Sequence, residues 1–138
     1  MASTIKLTLP TRISALQQME EAVEAFGEQA DWPPRLAFQM QLVLEELASN
    51  VIRHGFGEEG HEFEISVSSD PDTVTIEVVD AAPAYNPITD TPEPDLDASL
   101  EDRQIGGLGV FLVRDVADEM SYRREDGKNR LVIVKRRD

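Results

Sequence analysis

The chain has 138 residues, 41% hydrophobic and 29% charged, with 27 acidic against 13 basic side chains and a net charge of −14. That length suits one domain with a real core, no apolar run approaches the roughly 18 residues of a membrane span, and the absence of cysteine excludes disulfides and thiolate metal sites. The acidity sets the average surface against a nucleic-acid backbone. The start of the chain lacks the basic and apolar regions of a secretory signal, so a cytoplasmic protein bound to neither membrane nor nucleic acid is expected.

Thr4–Leu9 alternates polar and apolar residues and reads as a short strand stopped by Pro10. From Thr11, the residues Ile13, Leu16, Met19, Val23, Phe26 and Ala30 recur at helical spacing, with Glu20, Glu21, Glu24 and Glu28 on the other side. This predicts an amphipathic helix capped by Thr11. Asp31-Trp32-Pro33-Pro34 breaks it, and prolines suit the start of the next helix. Leu36, Met40, Val43, Leu44, Leu47 and Val51 mark the buried face of that second helix, which should stop near His54-Gly55. Phe63, Ile65 and Val67, then Val74, Ile76 and Val78, predict two strands joined by Asp70-Pro71-Asp72. A helix is expected from about Gly109 to Ala117. A last hairpin, about Met120–Arg124 with Arg130–Lys135, turns at Asp126-Gly127. The order predicts an α+β fold: a two-layer sandwich whose mostly antiparallel sheet is covered on one face by helices.

One segment stands apart. Ala81 to about Gln104 holds Pro83, Pro87, Pro92 and Pro94, with six acidic residues against one basic. Structureless stretches beyond roughly 12–15 residues are commonly lids or disordered insertions, and its place between two candidate site motifs favours a lid.

The residues able to carry chemistry fall in four groups. Glu46 and Asn50 lie four apart and stack on one helix face, a stripe that runs on to Arg53 and His54. The Asn carbonyl is a sound oxygen ligand for Mg²⁺, which completes its shell with water and phosphate oxygens. The Glu could draw a proton from an attacking hydroxyl. The same spacing also suits a solvated helix face. Asp80 ends an apolar strand, where a carboxylate needs a hydrogen-bond partner; as an acceptor it could take the exocyclic amine of adenine and reject guanine, or simply start a turn. Gly106-Gly107-Leu108-Gly109 clears side chains from a helix start, where backbone amides and the helix dipole can meet a phosphate, although turns use glycine as well. Arg53, Arg103 and Arg114 are candidate phosphate partners. Neither His54 nor His61 has the neighbours of a metal site.

In this order, Glu46-x-x-x-Asn50, Asp80 at a strand end, and Gly-x-Gly before a helix resemble the ATP-binding (Bergerat) fold of gyrase, histidine-kinase and MutL-type ATPases. Val43 to Phe56 looks like the Asn-bearing box of the small anti-sigma-factor serine/threonine-protein kinases. Asp80-Ala81-Ala82-Pro83-Ala84-Tyr85-Asn86-Pro87 resembles their first glycine box, and Gly106 to Val113 their second. The resemblance covers nearly the whole chain. It implies a single histidine-kinase-like ATPase domain over residues 1–138, with a mobile ATP lid at about 82–105. It further implies ATP and Mg²⁺ as cofactors, Asn50 as the metal ligand and Glu46 as catalytic base. Nucleotide contacts would come from Asn50, Arg53, His54, Asp80, Ala82, Tyr85 and Arg103, and from Gly106, Gly107, Leu108, Gly109 and Val110.

The implied partners are a STAS-domain anti-sigma-factor antagonist as phosphoacceptor, an RNA polymerase sigma factor, and a second copy in a homodimer. One departure is Ala82, where the family has glycine; its methyl group is expected to crowd the base. The competing reading is a non-catalytic module of the same fold that holds a sigma factor or antagonist. A detached histidine-kinase catalytic domain is less favoured, since no helical segment with a phosphoacceptor histidine precedes the motifs.

Overall fold

A computed structural model describes residues 2–55, 60–90 and 107–137, with backbone alone for 54, 55, 89, 90 and 107–111. The order is β1 (Ser3–Pro10), α1 (Ala15–Gln29), α2 (Pro34–Asn50), a π-helical turn (Val51–Gly55), β2 (Glu62–Ser69), β3 (Thr73–Asp80), the one-turn α3 (Pro87–Asp90), α4 (Gly107–Val116), β4 (Glu119–Glu125) and β5 (Lys128–Arg136). The five strands form one sheet in the order β1-β2-β3-β5-β4, and every neighbouring pair is antiparallel. Inward residues of β2 and β3 (Phe63, Ile65, Val67, Val74, Ile76, Val78) meet the apolar stripes of α1 and α2 (Met19, Val23, Met40, Val43, Leu44, Leu47) in one core. The fold is α+β with helices laid over an antiparallel sheet, as the alternation and helical periods predict.

The first helix begins later than its apolar pattern suggests. Thr11 is buried and does not cap it: its hydroxyl donates to the His61 carbonyl at 3.3 Å and accepts from the His61 amide at 3.2 Å. These bonds tie the end of β1 to the residue before β2. A tight turn follows, with Ala15 N–H on Arg12 O, and it leaves Ile13 exposed on the surface. The expectation failed because its decisive partner lies 50 residues away.

The other end of α1 is a Schellman stop. Trp32 N–H returns to Gly27 O at 2.9 Å and Asp31 N–H to Glu28 O at 3.3 Å, with Asp31 left-handed at φ 58°. The Trp32 ring then folds under α1, edge-on to Phe26 with centroids 5.6 Å apart, and its indole N–H donates to Ser69 Oγ at 3.0 Å. Pro34 opens α2 as its first residue. In the β2–β3 turn, the Asp70 carboxylate accepts from the amides of Asp72 and Thr73, both at 2.7 Å. Asp126 and Gly127, at φ 54° and 74°, make the two-residue turn of the last hairpin.

Candidate functional site

The site grows from the carboxyl-terminal end of α2. Ser49 is buried and turns its hydroxyl back onto the Glu45 carbonyl, a bond that competes with the regular helical ladder. One residue later the α-helix gives way to the π-helical turn Val51–Gly55. Such wide turns concentrate at functional sites because they re-aim side chains. Asn50 is the last α-helical residue before the change.

Asn50 lines a cleft between α2 and the sheet. Leu47, Val51, Val78 and Leu131 form apolar walls, Pro83 and Tyr85 close one side, and Asp80 and Asn129 supply polar groups. The cleft thus pairs apolar walls with a polar end at Asp80 and Asn129.

Asp80 is held by a network that no motif announced. Asn129 Nδ2 donates to Asp80 Oδ1 at 2.9 Å, and the Ala82 amide donates to the same oxygen at 3.0 Å. Asp80 Oδ2 has no protein donor among the described residues, so it remains available to an amine. Asn129 does more than orient Asp80. Its Nδ2 also lies 3.1 Å from Pro83 O and 3.3 Å from Ala82 O, and its Oδ1 accepts from the Tyr122 hydroxyl and the Tyr85 amide. Arg124 Nη1 adds a 2.7 Å bond to Ala82 O. Residues 82–85 are thus fastened to β4 and β5 and form a side of the cleft.

Asn129 faces the core side of β5, in alternation with Leu131 and Ile133. A polar side chain at an inward strand position must find partners, and that was the available signal for it. Tyr122 and Leu131 are further cleft residues without a motif of their own.

Ala82 is buried and its φ is not positive, so the backbone there accommodates a side chain without strain.

The remaining candidates are placed as follows. Glu46 sits one turn back from Asn50, partly exposed. Burial raises its pKa above the ordinary carboxylate value; the neighbouring Glu45 raises it further and Arg53 lowers it. Arg53 is exposed on the π-helical turn. Gly107, Leu108, Gly109 and Val110 form the first turn of α4, which packs against α2. The helix therefore starts two residues earlier than its apolar pattern indicates, its glycines lying inside the first turn. Arg103 and Gly106 lie outside the described residues, as do the His54 side chain and the part of the expected lid beyond Asp90. No group of three or more His, Asp or Glu side chains able to hold a metal occurs among the described residues. A metal here would lean on Asn50 and on phosphate oxygens.

A cleft that presents one free carboxylate oxygen at its base, beside a helix with Glu and Asn one turn apart, on an antiparallel sheet backed by helices, defines an ATP-binding domain of kinase-like type. The chain belongs to the histidine kinase-like ATPase domain family, whose model matches residues 9–135. Over 105 residues it is 34% identical to the serine/threonine-protein kinase BtrW of Bordetella bronchiseptica, an overlap of 75% of this chain and 72% of that relative.

Proposed function

We propose that this protein is an ATP-dependent serine/threonine-protein kinase and anti-sigma factor whose acceptor is a STAS-domain antagonist in a partner-switching system. The observation that carries the reading is the Asp80 carboxylate. Its Oδ1 is saturated by Asn129 and the Ala82 amide while Oδ2 is left open in the cleft that Asn50 lines. The similarity to a serine/threonine-protein kinase supports the choice of a hydroxyl acceptor.

Asp80 accepts the adenine amine, and the walls made by Leu47, Val51, Val78 and Leu131 sandwich the ring. Asn50 offers its carbonyl oxygen to Mg²⁺. Held there, the ion would supply neutralisation of the phosphate charge. Glu46 takes the proton from the acceptor's hydroxyl as its oxygen attacks the terminal phosphorus and ADP departs; its raised pKa makes it a better base than an ordinary carboxylate. Arg53, Arg103 and the backbone of 106–110 serve the phosphates. The active species is a homodimer, and phosphorylation of the antagonist decides whether a sigma factor is held.

The test is phosphate transfer from radiolabelled ATP to a STAS-domain protein by the parent, Glu46→Gln and Asn50→Ala. Transfer by the parent, lost in Glu46→Gln with ATP still bound, supports the reading. Loss of magnesium-dependent ATP binding in Asn50→Ala supports the metal assignment. ATP binding without transfer by the parent would leave a non-catalytic partner-binding module.

A further inference from the structure

Away from the nucleotide cleft, α1 and the first half of α2 enclose a second depression. Trp32 forms its floor, held by the indole bond to Ser69. Gly27 lets the ring come close, since a Cβ there would stand 2.7 Å from Trp32 Cε3. Val23 and Ala37 continue the apolar lining. On the α2 rim, Phe38 is 70% exposed, the most exposed large apolar side chain among the described residues. Phe38 gains nothing there from the core, but with Val23, Ala37 and Trp32 it extends an apolar surface rimmed by charged residues, the arrangement that marks a protein interaction site.

The other rim is a charge row. Glu20, Glu24 and Glu28 line the groove at one-turn spacing on α1, about 6 Å apart along the axis. The helix carries four glutamates and no basic residue. None of the three rim glutamates has an ion-pair partner among the described residues, whereas the ion pairs described there all sit on the β4–β5 side of the sheet or its flank. Like charges at i, i+4 weaken a helix by a few tenths of a kcal/mol each, so the fold gains nothing from the row. At the α2 wall, Gln41 donates through Nε2 to Glu20 O at 2.9 Å, while its Oε1 is shielded from water without a donor among the described residues.

We propose that the α1–α2 groove docks a basic amphipathic helix of a protein partner, with an apolar side chain seated between Phe38 and Trp32 and Lys or Arg facing Glu20, Glu24 and Glu28. Charge complementarity selects this occupant. A second copy of the chain is acidic overall, at −14, and would bring like charge to the row. A helix matches the rim because its own one-turn repeat equals that of the glutamates. The groove also shares α2 with the nucleotide cleft; Phe38 and Asn50 are twelve residues apart, about 18 Å along the helix. An occupant therefore leaves the cleft open while touching the same rigid element. The inference uses no property of the nucleotide site and stands whether or not the chain transfers phosphate.

The test is a titration of the ¹⁵N-labelled full chain, without nucleotide, by a four-turn stapled helical peptide that carries lysines one turn apart beside a central leucine. Saturable shifts confined to α1 and the start of α2, weakening as salt rises, are expected. Phe38→Ser should weaken binding roughly thirtyfold, as for a buried aromatic anchor. Glu20→Lys with Glu24→Lys should weaken it further and flatten the salt dependence. These side chains are exposed, so the variants keep the parent's amide spectrum elsewhere. Equal binding of a peptide with glutamate in place of lysine would overturn the proposal, as would no saturation or an undiminished Phe38→Ser. Dilution-dependent shifts of the free chain, abolished by Phe38→Ser, would overturn it in favour of a second copy.

Discussion

Two side chains separate what motifs reveal from what they hide. Asp80 is legible because a carboxylate closes an apolar strand. Asn129, which aims it, stands in a strand whose pattern predicts only a hairpin arm, and its role depends on partners 46 and 49 residues away. Removing it leaves Asp80 Oδ1 to the Ala82 amide alone and takes the donor from the Pro83 carbonyl. Asn129→Ala should lower ATP affinity about tenfold and stability by about 1–2 kcal/mol, read by calorimetric titration and thermal unfolding. Unchanged affinity would remove Asn129 from the site. Glu46 gives a different signature. Its folded pKa lies above the ordinary 4.5 through burial and Glu45, so the fold favours the protonated form. Its contribution to stability is fully present below the ordinary value and lost as pH rises through the raised one. Glu46→Gln should therefore match or exceed the parent in melting temperature at neutral pH while losing phosphate transfer. Transfer by the parent should rise with pH through a midpoint above 4.5, and Glu45→Gln should move that midpoint down. A midpoint indifferent to Glu45→Gln would assign the base elsewhere.

At the scale of elements, periodicity served well where burial alone sets the structure. The stripes of α1 and α2, the alternation of β2 and β3, the prolines before α2 and the Asp126-Gly127 turn were all readable, since each needs only local geometry or one apolar face. The misses have two causes. The late start of α1 depends on Thr11 bonding His61 across 50 residues, and the π-helical turn uses the same apolar residues an α-helix would. The stop of α1 combines both kinds of information: its breaker sequence is visible, but its tightness comes from the Trp32 ring beneath Gly27. There, alanine would gain up to about 1 kcal/mol of helix propensity and lose about 1–3 kcal/mol from a Cβ driven against a ring 2.7 Å away. The indole bond to Ser69 keeps that ring from yielding, so the clash wins. Gly27→Ala should lower the melting temperature, and in a Trp32→Leu background it should be neutral or stabilising. A stabilised single variant would mean the ring is free to shift.

Over the whole molecule, net charge and long-range fastening act in opposite senses. At −14 the chain repels itself, and added salt should raise its melting temperature by screening that repulsion. Arg137 works against the separation of its parts. Its guanidinium donates to Ala30 O at 3.1 Å and Asp31 O at 3.0 Å, at the negative end of α1, and to Asp70 O at 3.0 Å in the β2–β3 turn; its amide donates to Asp72 O at 2.9 Å. One residue near the end of the chain thus joins a helix terminus, a hairpin and the tail of β5. Its neighbour Arg136 has its side chain 67% exposed and pairs with Asp118 at 3.3 Å, a kind of surface pair that contributes under about 1 kcal/mol. Arg137→Ala should cost about 1–3 kcal/mol, since three charge-assisted bonds and a favourable helix-end charge are lost together, and Arg136→Ala distinctly less. Because the partners of Arg137 are neutral carbonyls close at hand, its deficit should persist in salt that erases the Arg136 effect. Denaturant unfolding of both variants at low and high salt decides the matter: equal losses, or an Arg137 deficit that vanishes with salt, would mean that general electrostatics rather than this three-way fastening holds the carboxyl-terminal strand to the first helix.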